Sequence, residues 1–344
     1  MIEREFHGSA SPMTRALLLA LLLGVAPAAA RAQAVAPRPI DIPAWFTESF
    51  FDLREDVREA AKGGKRLMLY FGQDGCPYCR ALMETNFTQS NIVTKMRAHF
   101  VAEALNVWGD REVTGFDGRT TSEKEFAKAM RVQFTPTLLF FDERGSIVAR
   151  LNGYYPPHRF EAALDYVAGK MEGKQAFADY MRSAAREAAS AALHEEPFFM
   201  RPPHDLRRGA KPLAVLFETP YCSGCDELHS EGLRRPEVRA QLAKFDVVRF
   251  ALGDDIEVVT PSGEKMRAGD WARVLGIAYT PSIVFFDRGR EVFRIEAYLR
   301  PFHLAGSFDY VASGAYATEP SFQRFLQARA ERLRNRGDAV ELWK

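Results

Sequence analysis

The chain repeats itself. Cys76 and Cys79 recur as Cys222 and Cys225, 146 positions later, and the same shift carries Lys65 to Lys211, Phe71 to Phe217, Leu82 to Leu228 and Ile92 to Val238. The offset then falls to 145, pairing Thr135-Pro136 with Thr280-Pro281 and Phe140-Phe141-Asp142 with Phe285-Phe286-Asp287. It ends at 144, pairing Asp165-Tyr166-Val167-Ala168 with Asp309-Tyr310-Val311-Ala312. Single-residue drift, with apolar positions kept in phase, is the mark of a duplicated domain. A chain of 344 residues, 47% of them apolar, can fill two ordinary cores.

Each repeat reads in the same order. Leu67–Phe71 and Leu213–Phe217 are short continuous apolar runs, as expected of strands in a sheet covered on both faces. The cysteine pair follows at once and opens a helix, continued by Leu82, Asn86 and Phe87 in the first repeat and by Leu228 and Leu233 in the second. Further strands are expected near Phe100–Leu105, Thr137–Phe141 and Ile147–Leu151, and at Val247–Leu252, Ile283–Phe286 and Val292–Ile295. Helices are expected at Ser122–Met130 and Arg159–Lys170, and at Gly269–Leu275 and Phe302–Ala312. Phe177, Tyr180 and Met181 mirror Phe322, Phe325 and Leu326. Their spacing predicts an amphipathic helix appended to each core, from about Gln175 to Leu193 and from about Ser321 to Arg334.

The first thirty-four residues have the pattern of an export leader: Arg15, an apolar stretch from Ala16 to Ala26, and an A-x-A site at Ala32-Gln33-Ala34. The apolar stretch falls short of the ~20 residues that span a bilayer. The expectation is therefore a periplasmic protein with no stable membrane insertion after cleavage. Lysines and arginines number 46 against 45 acids, which gives no electrostatic reason to expect a nucleic acid partner.

Export permits disulfides, yet the four cysteines form two tight pairs, Cys76-Pro77-Tyr78-Cys79 and Cys222-Ser223-Gly224-Cys225. A bridge across two residues closes almost no loop and adds little stability. The pairs are therefore expected to do chemistry. A shared four-cysteine zinc site is the competing use, but it requires the two repeats to meet site to site. The seven histidines show no zinc-like spacing around either pair, so no metal is expected. His229, four residues after Cys225, has two readings, a residue that tunes the second site or one on an exposed helical face, and the exposed face is the expectation.

A strand, a Cys-x-x-Cys at a helix start, and a Thr-Pro before a later strand together resemble the thioredoxin superfamily. Cys79 lies 57 residues before Pro136, and Cys225 lies 56 before Pro281. Within the superfamily the chain is similar to exported thioredoxin-like proteins associated with sulfur oxidation. The resemblance implies an α/β fold of two tandem thioredoxin-like domains, each a central mixed sheet flanked by helices and followed by an appended helix. The expected boundaries are residues 1–34 for the leader, 35–172 for the first domain, 173–205 for an appended helix and linker, 206–318 for the second domain and 319–344 for a C-terminal helix.

The resemblance also implies thiol–disulfide exchange with protein thiols or disulfides, with redox-active cysteines and no other cofactor. Cys76 and Cys222 are the expected nucleophiles, and Cys79 and Cys225 the resolving thiols. Thr135-Pro136 and Thr280-Pro281 are expected to be cis and to present backbone to a substrate strand. A membrane thiol carrier is the implied electron donor. Oxidase or isomerase activity, or one redox-silent binding domain, remain open. Two family features are missing. Gly75 and Tyr221 stand where a Trp precedes the first cysteine, and Tyr70 and Leu216 stand where a buried acid lies six residues before it.

Overall fold

A computed structural model of the chain describes residues 38–184, 189–207, 209–297, 299–338 and 340; the leader assigned to residues 1–34 lies outside them. The first repeat runs through α1 (Leu53–Lys62), β1 (Arg66–Gly72), α2 (Pro77–Ala81), α3 (Ser90–His99), β2 (Phe100–Asn106), β3 (Glu112–Thr114), β4 (Thr120–Ser122), α4 (Glu123–Ala129), β5 (Thr137–Phe141), β6 (Ile147–Asn152), α5 (Pro157–Ala168) and α6 (Phe177–Ala184). The second runs through β7 (His204–Asp205), β8 (Leu213–Glu218), α7 (Ser223–Glu227), α8 (Pro236–Leu242), β9 (Asp246–Ala251), β10 (Glu257–Val259), β11 (Lys265–Arg267), α9 (Ala268–Val274), β12 (Ser282–Asp287), β13 (Arg290–Ile295), α10 (Pro301–Ala312) and α11 (Phe322–Asn335).

Each repeat is built on a four-stranded mixed sheet, ordered β2-β1-β5-β6 in the first and, in the same sense, β9-β8-β12-β13 in the second. The two strands flanking the first helix crossover are parallel (β1 with β2, β8 with β9), and the remaining pairings are antiparallel. Every residue of β1 and β8 is buried, because helices cover both faces. On one face of the first sheet Met68, Tyr70, Leu138 and Phe140 pack against Leu82, Phe160 and Leu164. On the other, Leu67, Leu69, Phe71 and Phe141 pack against Leu53, Val57 and Phe126. The tandem α/β architecture expected from the sequence is present.

Two elements depart from expectation. The helix that opens at each cysteine pair widens into a π turn, Leu82–Asn86 and Leu228–Gly232. In the first repeat the turn places Asn86 inside, where its Nδ2 donates to the Tyr155 carbonyl at 3.0 Å. The helix expected to reach Leu193 has left the helical path by Ala189. The chain there is held instead as an extended strap. Ser190 N donates to Asp226 Oδ2 (2.9 Å), and the Ser190 carbonyl accepts from Tyr221 N (2.7 Å), so the strap is fastened across the start of α7. The twin helix at the chain end forms as expected, with Ser321 as its N-cap.

The opposite face of the first sheet holds a buried acid, Glu103 on β2. Burial, reinforced by the nearby Asp56 carboxylate, moves its carboxyl from 4.5 up to about 8, against a hydrogen bond from Ser49. The folded chain therefore keeps a proton that the unfolded chain has released between these two values. Its contribution to stability is present below about 4.5 and is lost as pH rises towards about 8. Glu103→Gln should remove that decline. The variant should melt higher than the parent near pH 8 and should differ less near pH 4.5, measured by thermal unfolding at both values.

Candidate active site

Both cysteine pairs lie where a buried strand hands over to a helix. After β1, the turn Gln73-Asp74-Gly75 delivers Cys76 as the N-cap of α2; its backbone is extended and its Sγ accepts from Cys79 N at 3.0 Å. Pro77 takes the first helical position, where a missing N–H is no loss. After β8, Cys222 caps α7 in the same way, with Cys225 N 3.1 Å from its Sγ. A sulfur held against a helix-start N–H is favoured as thiolate. Each pair is bridged within itself, Cys76 to Cys79 and Cys222 to Cys225, with Cα atoms 5.2 Å apart in both. Among the described residues no group of three or more His, Cys, Asp or Glu gathers as a metal site.

The residue before each first cysteine is left-handed: Gly75 at φ 72° and Tyr221 at φ 58°. Glycine adopts this at no steric cost, whereas Tyr221 is held there by its hydrogen bond to the strap. Opposite the pairs stand the two Thr-Pro loops, both cis. The Thr135 carbonyl lies 3.3 Å from Cys76 Sγ, and the Thr135 hydroxyl lies 3.4 Å from it. The sequence-predicted Cys76, Cys79, Thr135 and Pro136 thus come together in one site. Cys222, Cys225, Thr280 and Pro281 occupy the equivalent positions in the second repeat.

A family model of the thioredoxin-like domain matches residues 53–168 and again residues 205–312. The chain belongs to the thioredoxin-like domain family. Among solved structures, a thioredoxin-fold protein from Helicobacter pylori is 24% identical, over 39% of this chain and 90% of its own, with a TM-score of 0.31. A thioredoxin from Thermus thermophilus is 26% identical over 36% of this chain and 91% of its own, with a TM-score of 0.28. The periplasmic thioredoxin SoxS from Paracoccus pantotrophus, in reduced form, is 22% identical over 31% of this chain and 98% of its own, with a TM-score of 0.22. None of the curated proteins compared with the chain matches it.

The two thioredoxin-like sites differ beneath the cysteines. His229, expected on an exposed face, is only 2% exposed. The π turn points it inward, and the strap closes over it. Its Nδ1 lies 3.0 Å from Glu196 Oε1 and its Nε2 lies 2.8 Å from Glu218 Oε1. Burial opposes charge on the imidazole, but the two carboxylates prevail and raise its pKa above the ordinary value. The first repeat has Gly72 and Met83 at the matching positions. Sequence reasoning passed over Glu218, although a charged residue ending a buried apolar run was the available signal.

Each thioredoxin-like repeat also closes over the other's site. Phe134, just before Thr135, enters the second core, its ring centroid 5.5 Å from that of Phe293 and 5.4 Å from that of Phe322. Tyr279, just before Thr280, enters the first core, 4.4 Å from Tyr155. Arg159 lies over the Tyr279 ring and donates from Nη1 to the Thr280 carbonyl at 3.2 Å. Tyr78, between the first two cysteines, accepts from Arg300 N at 2.9 Å and meets His303 edge-on. Gln73 donates to both Thr135 Oγ1 (3.1 Å) and Gln323 Oε1 of α11 (2.7 Å).

As a result Cys76 is 4% exposed and Cys222 1%. A cavity of about 360 Å³ remains beside the second site, lined by Arg159, Arg182, Thr219, Tyr221 and Thr280 among others. Phe134→Ala should cost about 3–5 kcal/mol, the usual penalty for emptying a buried aromatic position. In the reduced chain it should also speed native-state labelling of the cysteines by a maleimide. Denaturant unfolding and labelling kinetics check the two halves of that expectation.

Proposed function

We propose that the chain is an exported, periplasmic protein thiol–disulfide oxidoreductase that works in the reducing direction. One observation carries this reading: two bridged Cys-x-x-Cys pairs, each with its first sulfur at a helix N-cap, in two repeats that each place a cis Thr-Pro before the next strand. In this reading the Cys76 or Cys222 thiolate attacks a target disulfide and forms a mixed disulfide. Cys79 or Cys225 then displaces the target thiol and leaves the internal bridge. Resolution is intramolecular because the two-residue spacing keeps both sulfurs within bonding reach. The backbone of Thr135 or Thr280 would pair with an extended target strand once the repeats part.

The export reading rests on the leader pattern of residues 1–34 and on the use of cysteines as bridges. No helix of the described residues is long and apolar enough to cross a membrane. By the family resemblance, electrons would be delivered by a membrane thiol carrier. The cysteines supply all the redox chemistry, and protein thiols or disulfides are the partners. The apolar surroundings of Cys79 and the charged network beneath α7 support different potentials at the two sites.

The test is to equilibrate the chain without its leader, together with C76S/C79S and C222S/C225S, with glutathione buffers. Two distinct potentials near about −270 mV are expected. Values near about −120 mV would make the protein an oxidant of folding proteins. If neither pair titrates, the redox reading fails and a binding role replaces it.

A further inference from the structure

Away from the cysteines, the edge strands of the two repeats carry a matched pair of arginines. At an offset of 144, Arg150 of β6 corresponds to Arg294 of β13. Both guanidiniums reach back to the backbone that closes the preceding helix, α4 or α9. Arg150 Nη2 donates to the Met130 and Arg131 carbonyls at 2.9 Å each, and Arg294 Nη1 to the Leu275 carbonyl at 2.9 Å. The two charges are then met differently. Glu291 accepts two bonds from Arg294, at 2.6 and 2.8 Å, and Glu296 accepts a third at 3.3 Å. In the first repeat Ile147 and Asn152 hold the positions of those two acids. Arg150 Nε donates to the Asn152 amide oxygen at 2.9 Å and, among the described residues, to no carboxylate.

A charge drawn out of water is costly unless it is paired. At Arg294 burial opposes the charge, but the carboxylates prevail and its pKa is raised. At Arg150 burial prevails and lowers the pKa; Glu296 nearby opposes that, and Arg131 adds to it. Glu296 is itself held by Asn152 and Arg294. Arg131 follows the helix cap with a left-handed backbone, φ 53°, and its side chain makes no ion pair among the described residues. Two like charges thus stand near one another with no carboxylate bonded to either. Both border a cavity of about 730 Å³ between the repeats. Its other walls include Phe134 and Phe293, whose rings meet across the join, and Tyr316, whose hydroxyl donates to Asp287 at 2.5 Å. An apolar wall with a few charged groups at one end is the usual make-up of a small-molecule site.

We propose that this cavity binds a small organic carboxylate, with the carboxylate on Arg150 and Arg131 and an apolar body of about one ring against Phe134 and Phe293. A carboxylate presents two oxygens to a planar guanidinium and forms charge-assisted hydrogen bonds with it. It supplies to Arg150 what Glu291 and Glu296 supply to Arg294. An inorganic anion would meet the arginines and leave the aromatic wall uncovered, and a neutral ring would leave the arginines unmatched. Because both repeats wall the cavity, the ligand binds the joined arrangement and favours it over the parted one. Phe134 directly precedes Thr135, so an occupied cavity holds the first site's Thr-Pro loop under the opposite repeat. Binding forms no bond to sulfur and moves no electrons, so the site stands apart from the redox reading.

The probe is hydrocinnamate, a phenyl ring on a propionate chain, titrated by calorimetry into the oxidised chain without its leader. Hydrocinnamamide, propionate and sulfate are titrated beside it. Hydrocinnamate should bind, and each of the other three should bind about tenfold or more weakly, since a hydrogen bond to a charged group and a buried ring are each worth at least that. Arg150→Met should weaken hydrocinnamate by a similar factor. Ile147→Glu, at an exposed position, gives β6 the carboxylate that Glu291 gives β13. It should abolish binding without lowering the melting temperature, and it keeps the test decisive if Arg150→Met does not fold. In the reduced parent, hydrocinnamate at a hundred times its Kd should slow maleimide labelling of the cysteines by up to about 100-fold. No binding by hydrocinnamate, equal binding by hydrocinnamamide or sulfate, or parent-like binding by Ile147→Glu overturns the proposal. Binding that leaves labelling unchanged overturns its coupling to the joined repeats. None of these results depends on disulfide exchange, so failure here leaves the oxidoreductase reading standing.

Discussion

Phe134 and Tyr279 each complete a core that belongs to the other repeat. Most of what distinguishes this chain from two thioredoxin-like domains on a string follows from that exchange. The loops that carry these aromatics also carry the cis Thr-Pro, so burying the rings brings the loops under the opposite repeat. Tyr78 and Arg159 then fill the remaining space around the two disulfides, and α11 fastens the arrangement through Gln323. The hydrophobic gain is ordinary in kind, two aromatic side chains removed from water. Its position makes it unusual, since the apolar contact that joins the repeats also closes both sites.

The repeat itself was plain in the amino-acid order, because duplication leaves a register that only loop insertions disturb. Local signals were enough for the strands at Leu67–Phe71 and Leu213–Phe217, for helices opened by cysteine, and for the Thr-Pro pairs. The meeting of repeats was not legible. Phe134 and Tyr279 look like core residues in sequence, and they are; nothing local says whose core. His229 was misplaced for a related reason. Helical spacing gives the face a residue occupies, but the π turn rotates that face, and the strap that covers it departs from the same amphipathic pattern as α6. Neither the π turn nor the strap's contact with His229, 33 residues away at Glu196, is registered by periodicity.

The two sites diverge at matched positions. Where the first repeat has Tyr70 and Gly72, the second has Leu216 and Glu218, so a phenol over a glycine is exchanged for a leucine beside a carboxylate. Each combination fills its space. Tyr70 is held neutral, because burial raises its pKa well above the ordinary value. Glu218 is paired with an imidazole whose protonation its own charge favours. The same backbone therefore carries a buried phenol in one repeat and a carboxylate bonded to an imidazole in the other.

The segment between the repeats deserves the name linker only in part. Ser190, His194, Glu195 and Glu196 all make specific bonds to the second repeat, and Tyr221 keeps its left-handed backbone through one of them. Surface connections ordinarily tolerate changes of length with little penalty. Here an insertion ahead of Phe199 would slide four polar residues out of register with Asp226, His229 and Arg249 at once. A stretch of chain with little regular structure is thus among those least free to vary in length.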